Sequence, residues 1–534
     1  MPFTPSRRQT LLAPIILPTI AQPAAPAIAQ PAATRPLRFI PNNDLVTTDP
    51  HLTPAYVTRN HAQMVFDTLY GLDDRFVAHP QMVAGDTVSA DGLEWRLTLR
   101  PGLRFHDGEP VRARDCVASI RRWARRDSFG EALLAATAEL SAEDDQVLRF
   151  RLHRPFPRLR DALGKAASIM PAIMPERLAQ TDPTRPIPEI IGSGPYRFLA
   201  AEHVPGARAA YQRFDGYVPR ADGPPERTAG PKRALLPRVE WTVIRDPVTA
   251  STALARGEQD WWEFAAQDQV PWLARQPGIR TAVLDDTGMV SMAQPNHLHP
   301  PFDNAEFRCA LLRAIDQRPF ARTLAGDDNT LYRLPLGVYA PGSPLASNAG
   351  LEPLTGPRDP GPAREALRAA GHLGRSVVIL SPGDFVTGPL VGQILASQLR
   401  ELGLVPDLQV MDQASLLRRR TNRAAPEQGG WNLFTTAWSG MDWLNPASHL
   451  PLRGNGTAYP GWAVSPEREA LRDAWFAAGT AVREAEVAAA LQVQAMRDVP
   501  FLPLCGYAQA SAHRVGLSGM RRGFPVFWGL GWQA

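Results

Sequence analysis

The sequence contains little lysine, and its basic residues are spread thinly along the chain. Only Lys165 and Lys232 are lysines among 57 basic residues, and 53 acidic residues leave a net charge of +4 over 534 residues. A protein that binds nucleic acid concentrates basic side chains on one face, whereas the arginines here are scattered among carboxylates. We therefore expect no nucleic-acid partner. The length exceeds what one hydrophobic core supports, so two or three domains are expected.

Cysteine is scarce as well. Cys116, Cys309 and Cys505 are far apart, and no C-x-x-C pair occurs. This spacing excludes a zinc ribbon and argues against a disulfide scaffold. The sequence predicts three buried free thiols, although a single disulfide bond with one thiol left over is also compatible with it.

Motifs of the common enzyme classes are missing. The sequence contains no G-x-S-x-G, no H-E-x-x-H and no G-x-G-x-x-G after a predicted strand. His297 and His299 come nearest to metal-ligand spacing, but a pair beside Pro300 and Pro301 is more typical of a surface loop. We therefore expect no catalytic residues, no metal and no cofactor, and a protein that is not an enzyme.

Long hydrophobic runs are absent beyond the N-terminus, and the N-terminus itself is typical of an export signal. Residues 1–29 carry the pair Arg7 and Arg8, then a short apolar run broken by prolines, then an A-x-A cleavage pattern ending at Ala29. The arginine pair before a weakly hydrophobic core resembles a twin-arginine signal, and an ordinary secretory signal is the alternative. Residues 30–36 are predicted to be a linker, and the mature protein to be a soluble protein of the periplasm.

One long run resembles a known family. Residues 95–117, W-R-L-T-L-R-P-G-L-R-F-H-D-G-E-P-V-R-A-R-D-C-V, are similar to the hairpin-and-helix signature of the family 5 extracellular solute-binding proteins. These are the peptide/nickel class of receptors for ABC importers. Residues 192–198, G-S-G-P-Y-R-F, and residues 304–316, N-A-E-F-R-C-A-L-L-R-A-I-D, resemble further elements of the same family.

The resemblance implies an α/β fold of the two-lobed periplasmic-binding-protein type (class II), with an extra subdomain inserted in the first lobe. The implied first lobe comprises residues 37–55, 190–275 and 500–534. The extra subdomain would occupy 56–189, and the second lobe 276–499. Within the second lobe, a strand near 376–380, a helix near 391–402 and a strand near 404–411 form a β-α-β unit, which requires a parallel strand pair.

The strongest candidate for a binding segment runs from 430 to 450, G-W-N-L-F-T-T-A-W-S-G-M-D-W-L-N-P-A-S-H-L. It begins as a strand and breaks into a loop that holds Trp438, Asp442 and Trp443 and is closed by Asn445 before Pro446. Two indoles around a carboxylate suit an apolar ligand with a positive group. The resemblance implies that Asp442 pairs with the α-amino group of a peptide. An ordinary core with two buried tryptophans and a turn capped by Asp442 is the alternative.

The opposite wall of the cleft is expected in the loop 53–60, where Tyr56, Arg59 and Asn60 are the candidates. Arg59 would pair with the carboxylate of a zwitterionic ligand, unless it is a solvated residue at the start of a helix.

The resemblance implies that the protein is the binding component of an ABC importer. It would capture a peptide or peptide-like solute and deliver it to the membrane permease. We expect the protein to be a monomer and to bind no nucleic acid. A nickel–chelate, an opine or a small glycoside are alternative ligands. A secreted hydrolase on a related scaffold and a receptor for chemotaxis are alternatives of other classes.

Overall fold

A computed structural model describes residues 35–223, 225–384 and 387–533 of the chain. The predicted export signal and all but the end of the predicted linker lie outside these residues. The described chain forms two large mixed sheets, a separate four-stranded antiparallel sheet and two short two-stranded ribbons. None of the helices in these ranges is long and apolar enough to cross a membrane.

The first lobe is built on a seven-stranded sheet assembled from distant parts of the chain. Leu37–Ile40 lies at its centre, parallel to both of its neighbours. In spatial order the strands are Ile279–Val283, Ala510–Arg514, Trp261–Trp262, Leu37–Ile40, Arg238–Thr242, Arg208–Arg213 and Tyr196–Phe198. The helices Tyr56–Val65, Pro247–Ala255 and Val270–Leu273 accompany this sheet.

The extra subdomain interrupts the first lobe between its strands Leu37–Ile40 and Tyr196–Phe198. Its antiparallel sheet has the order Val83–Val88, Glu94–Leu99, Val147–Leu152 and Thr137–Ala142. In Glu94–Leu99 the alternate residues Trp95, Leu97 and Leu99 are buried, as the period-two pattern predicts. Its helices are Ala113–Ala124, Ser128–Ala136, Leu159–Leu163 and Glu176–Ala179, and a ribbon pairs Tyr70–Leu72 with Ala78–Pro80.

The second lobe is built on a six-stranded sheet. Its strands are, in order, Tyr332–Arg333, Leu502–Tyr507, Met289–Pro295, Leu433–Ser439, Ser376–Pro382 and Val405–Met411. The predicted β-α-β unit is confirmed, because Ser376–Pro382 and Val405–Met411 pair in parallel across the helix Gly388–Glu401. The remaining α-helices of this lobe are Ala305–Ala314, Arg318–Ala325, Glu352–Thr355, Gly361–Ala369, Gln413–Arg419, Pro466–Phe476 and Ala481–Asp498.

Two short segments connect the sheets of the two lobes. Residues 284–288 join the strand Ile279–Val283 to Met289–Pro295, and residues 508–509 join Leu502–Tyr507 to Ala510–Arg514. The segments run close together at Gly288, which has φ +60°, and a Cβ there would lie 2.5 Å from the carbonyl oxygen of Tyr507. The closeness of the two segments therefore requires glycine at this position.

These connections place the lobe boundaries differently from the sequence prediction. The strand Ile279–Val283 belongs to the first sheet, beyond the expected boundary at 275, and Leu502–Tyr507 belongs to the second sheet, although 500–534 was assigned to the first lobe. The helix Tyr56–Val65, expected at the start of the subdomain, packs into the core of the first lobe. Periodicity cannot locate such boundaries, because the pattern of a strand does not record which sheet it joins.

The subdomain and the second lobe share one hydrophobic core. The ring of Phe156 stacks on Phe476 with centroids 5.7 Å apart, and Phe129 lies 5.8 Å from the same ring. All three cysteines are free thiols, as expected; Cys116 and Cys505 are buried and Cys309 is half-buried. Burial raises the pKa of each thiol above its ordinary value.

Candidate functional site

The strand Leu433–Ser439 carries the candidate segment to the junction of the lobes. Side chains alternate between the two faces of a strand, so Trp438 lies on the same face as Phe434. Both rings pack on Tyr459, at centroid distances of 5.7 and 6.0 Å. Ser439 points to the other face and reaches the first lobe. Trp438 therefore belongs to the interior of the second lobe, and the residue after it faces the cleft.

Trp443 also lies in the core, contrary to its predicted place on a cleft wall. It follows Ser439 in the 3₁₀ turn Gly440–Trp443, is fully buried, and lies against His449 and Phe501 with centroids 4.1 and 4.8 Å away. A ring enclosed by neighbours of its own lobe has no free face for a ligand. Both tryptophans of the segment are therefore packed inside the second lobe, which is where the alternative interpretation of the sequence expected them.

Asp442 is buried and is held by the extra subdomain. Its carboxylate accepts a hydrogen bond from the backbone N–H of Ser168 at 3.2 Å, and the Ser168 hydroxyl lies 3.4 Å from its other oxygen. Close by, Lys165 forms a buried ion pair with Asp127. Burial raises the pKa of Asp442, opposed by the charges of Lys165 and Arg59. We call Asp127, Lys165, Ser168 and Asp442 the Asp442 junction.

Asn445 closes the segment locally and does not reach the first lobe. Its side-chain oxygen accepts a hydrogen bond from the backbone N–H of Ala447 at 3.0 Å. This is the short-range turn that Asn forms readily before a proline. Its observed role is to shape the loop.

The residues predicted on the opposite wall lie on a helix rather than in a loop. The helix Tyr56–Val65 starts after Pro54 and Ala55, so Tyr56 and Arg59 occupy its first turn. The Tyr56 hydroxyl accepts a hydrogen bond from the backbone N–H of Ser439. The Arg59 guanidinium donates to the Ser439 hydroxyl at 3.3 Å. The two predicted walls therefore meet at Ser439.

Arg59 is a buried cation whose direct partners are uncharged. It is 4% exposed, donates twice to the Asn60 side-chain oxygen at 3.3 and 3.2 Å, and lies over the ring of Phe524 at 4.1 Å. A guanidinium has five N–H donors, and these contacts together with Ser439 use three of them. Within the described ranges no carboxylate lies within 4.0 Å of Arg59.

Asn60 is fully buried and holds the Arg59 side chain in place. Its amide nitrogen donates to Glu263 at 2.8 Å while its oxygen receives the Arg59 donors. Glu263 also accepts from the backbone N–H of Asn42 at 2.7 Å. Burial raises the pKa of Glu263 to about 7, in spite of these hydrogen bonds and the charge of Arg59. Asn60 thus positions Arg59.

A small pocket, partly open to solvent, lies where these elements meet. We call it the cleft pocket. It is lined by Tyr56, Arg59, Phe264, Asp285, Gly288, Met289, Ser439 and Gln509. Both lobes and both connecting segments contribute to the lining. A pocket shared in this way changes shape whenever the lobes rotate about the connecting segments.

Sequence reasoning missed six residues of this lining: Phe264, Asp285, Gly288, Met289, Ser439 and Gln509. Asp285 and Gln509 lie on the two connecting segments, which residue patterns did not locate. Asp285 accepts hydrogen bonds from the Thr287 backbone N–H at 3.0 Å and from the Thr287 hydroxyl at 2.6 Å. Burial raises its pKa, opposed by those hydrogen bonds and by the charge of Arg59. The pocket thus combines aromatic and aliphatic walls with one cation, one carboxylate and neutral polar groups, as small-molecule sites commonly do.

Comparisons with known proteins agree with this architecture. Residues 77–459 match the family model described as bacterial extracellular solute-binding proteins, family 5 Middle. A probable peptide ABC transporter periplasmic-binding protein of Sinorhizobium fredii, y4tO, is 33% identical over 492 residues, covering 91% of this chain and 92% of the relative.

Solved structures share the fold at lower identity. The binding protein AgaA of A. tumefaciens R10, in complex with agropinic acid, has a TM-score of 0.77 at 20% identity and covers 94% of this chain and 99% of its own. The dipeptide-binding protein of Pseudoalteromonas sp. SM9913, in complex with Met-Leu, also has a TM-score of 0.77, at 16% identity, and covers 93% and 100%. The chain therefore belongs to the family 5 bacterial extracellular solute-binding proteins, which bind solutes for transport and are not enzymes.

Proposed function

We propose that this protein captures a short peptide in the cleft pocket and delivers it to the membrane subunits of an ABC importer. The observation that carries the proposal is Arg59. Its guanidinium is buried where the two lobes meet, and some of its N–H donors have no hydrogen-bond acceptor among the described residues. A free peptide supplies the matching carboxylate, and the bidentate pairing of guanidinium with carboxylate is both strong and directional. The relative y4tO, whose name specifies peptide transport, covers nearly the whole chain.

The lining of the cleft pocket suits the apolar side chains of a peptide. Tyr56, Phe264 and Met289 supply apolar contacts to its side chains.

Export by a twin-arginine signal in residues 1–29, a periplasmic location and a monomeric state complete the proposal. An importer's receptor has to meet its solute outside the cytoplasmic membrane. The arginine pair Arg7-Arg8 is the feature that supports the twin-arginine route.

Calorimetric titration of protein that has been unfolded, freed of any bound ligand and refolded tests the proposal. The panel is Met-Leu, tetra-alanine, agropinic acid and a nickel–histidine complex. We expect Met-Leu to bind most tightly and to stabilise the protein by about 2.7 kcal/mol at 100 times its Kd. Binding of only agropinic acid or nickel–histidine, or of no member of the panel, would overturn the peptide assignment.

A further inference from the structure

The extra subdomain is fixed to the first lobe by the main chain. The chain enters the subdomain from the first lobe and returns to it, and the backbone N–H groups of Thr228 and Ala229 both donate to the Leu72 carbonyl at 3.1 Å. A buried bidentate ion pair joins Arg122 of the subdomain to Asp49 of the first lobe, at 3.0 and 2.8 Å. When the lobes rotate, the subdomain therefore moves with the first lobe.

The contact between the subdomain and the second lobe depends on side chains. In the ranges that the structure describes, no strand of one pairs with a strand of the other, and no backbone N–H of one donates to a backbone carbonyl of the other. Instead, Phe129 and Phe156 of the subdomain pack on Phe476, at the end of the second-lobe helix Pro466–Phe476. A contact of this kind resembles a transient interface, because it can part and re-form without any loss of secondary structure.

An ion pair adjoins this aromatic contact and joins the same two bodies. The guanidinium of Arg158 on the subdomain pairs with Glu484 in the first turn of a second-lobe helix. Arg158 also donates to the Ala478 carbonyl at 2.9 Å and lies over the ring of Trp475, 5.5 Å from its centroid. The side chains of Arg158 and Glu484 are only 12% and 18% exposed, so solvent and salt screen this pair less than they screen a surface pair.

From these contacts we infer that the subdomain and the second lobe form a latch, which parts when the cleft opens and re-forms when it closes, with or without a solute. The latch comprises Phe129, Phe156 and Arg158 on the subdomain and Trp475, Phe476 and Glu484 on the second lobe. Because the subdomain stays with the first lobe, the second lobe cannot rotate about the connecting segments without disturbing these contacts. The inference rests on the part of the proposed function that places a solute in the cleft pocket, whatever that solute is.

The latch acts on affinity without touching the solute, because none of its residues lines the cleft pocket. The apparent affinity of a receptor equals the affinity of its binding-competent arrangement multiplied by the fraction of molecules already in that arrangement. A stable latch raises the fraction of closed molecules, so less of the binding free energy is needed to close the lobes. A weaker latch should raise the Kd while the pocket lining stays the same.

Glu484→Gln tests the latch with little disturbance of either body. It removes the second-lobe charge of the ion pair and leaves Arg158 paired with Asp161 of its own subdomain at 3.1 Å. We expect the Kd for Met-Leu to rise about threefold to tenfold in calorimetric titration, which lies between the effects of surface and buried ion pairs. The radius of gyration of the ligand-free variant, measured by small-angle X-ray scattering, should exceed that of wild-type protein.

The matched control is Glu486→Gln on the same helix. Glu486 pairs with Arg483 of its own lobe, and the two side chains are 58% and 61% exposed, so this substitution should change neither the Kd nor the radius. Phe156→Leu is a second variant that weakens the aromatic part of the latch and keeps an apolar side chain of similar size. It should act in the same direction as Glu484→Gln.

The outcomes keep the latch apart from the peptide assignment. If neither Glu484→Gln nor Phe156→Leu raises the Kd or enlarges the ligand-free protein relative to Glu486→Gln, the subdomain and the second lobe are one permanent body and the latch is refuted, even if the free energy of unfolding falls. If only agropinic acid or nickel–histidine binds, the peptide assignment fails and the same comparison is made with that solute. If no member of the panel binds, the scattering comparison decides, and equal radii refute the latch.

Discussion

The cleft pocket and the Asp442 junction both adjoin the turn that ends the strand Leu433–Ser439, yet only the first is partly open to solvent. At the junction, Lys165 and Asp127 form an enclosed ion pair, and Asp442 accepts hydrogen bonds from the N–H and hydroxyl of Ser168. At the pocket, Arg59 is as deeply buried, has only neutral hydrogen-bonding partners and keeps N–H donors unused beside an opening to solvent. The two polar sites therefore differ in their access to solvent.

This difference shows how a binding site can be told from a structural polar cluster. Burial of a charge costs free energy unless the charge is paired and hydrogen-bonded. A cluster that already satisfies this requirement stabilises the fold and gains little from a ligand. A buried charge with donors left over gains much from a ligand of opposite charge, and this is the property expected of a receptor.

The largest expected effect is on the free energy of unfolding, and it comes from a substitution in the Asp442 junction. Lys165→Met removes the cation from a pair in which both side chains are 6% exposed and leaves Asp127 uncompensated. We expect the free energy of unfolding to fall by about 3–5 kcal/mol in urea denaturation. Arg368→Met, which breaks an exposed pair with Glu365, is the control and should cost less than about 1 kcal/mol. Equal effects of the two substitutions would contradict a structural role of the junction.

The second prediction concerns the pocket. Arg59→Gln removes the proposed partner of the ligand carboxylate and should weaken Met-Leu binding by about 2–5 kcal/mol in calorimetric titration. Arg322→Gln changes an arginine that is 70% exposed on the second lobe and should leave the affinity unchanged. An unaltered Kd in Arg59→Gln would remove Arg59 from the site.

A third prediction concerns pH and the support behind Arg59. Burial raises the pKa of Glu263 to about 7 in the folded protein, above the unfolded value of about 4.3. Between these values the folded state binds more protons, so its stability is highest below the unfolded pKa and decreases as pH rises through the folded one. We expect Glu263 to contribute a loss of about 1–3 kcal/mol between pH 5 and pH 8, measured as the difference between the profiles of the wild-type protein and of Glu263→Gln.

The Glu263→Gln variant provides the control for this loss, because it cannot titrate at this position. Its unfolding free energy should lack the Glu263 component of the pH profile, measured by urea denaturation across the same range. Parallel profiles for the variant and the wild-type protein would show that Glu263 does not titrate with a raised pKa.

The smallest expected effect is that of Asp442→Asn on ligand affinity. Because Asp442 is engaged by Ser168, we expect the Kd for Met-Leu to change by less than about threefold, or about 0.7 kcal/mol. If Asp442 held the ligand ammonium, as the resemblance to the family implies, the loss would be about 2–5 kcal/mol. A loss of that size would show that Asp442 contacts the ligand and that the Asp442 junction is part of the binding site.

Much of the fold was accessible from the sequence because its evidence is local. The alternation in Glu94–Leu99 and the β-α-β unit from Ser376 to Met411 follow from residue spacing, and the signature around Trp95 indicated the family. For the candidate site, the sequence predicted Tyr56, Arg59 and Asn60 in a loop, whereas the structure has a helix that begins at Tyr56, with Tyr56 and Arg59 lining the pocket.

The surroundings of Asp442 and Asp285 were not accessible from the sequence, because both depend on how distant segments of the chain meet. Asp442 meets Ser168 across 274 residues of sequence, and no periodicity records that meeting. The segment 430–450 contains aromatic and acidic residues that suit a ligand and a core equally well. Only the pleat of the assembled sheet shows that Ser439 faces the cleft while Trp438 packs on Tyr459.

From the sequence by itself, the signature at residues 95–117 indicated a solute-binding family, because a signature acts over a short stretch of chain, and that resemblance implied a two-lobed α/β fold with an inserted subdomain. The tertiary structure decided which charged groups are compensated. Asp442 is hydrogen-bonded to Ser168 of the subdomain, while Arg59 and Asp285 both line a small pocket beside the connecting segments. Whether a buried charge is available to a ligand depends on every group that surrounds it, and those groups come together only when the chain has folded.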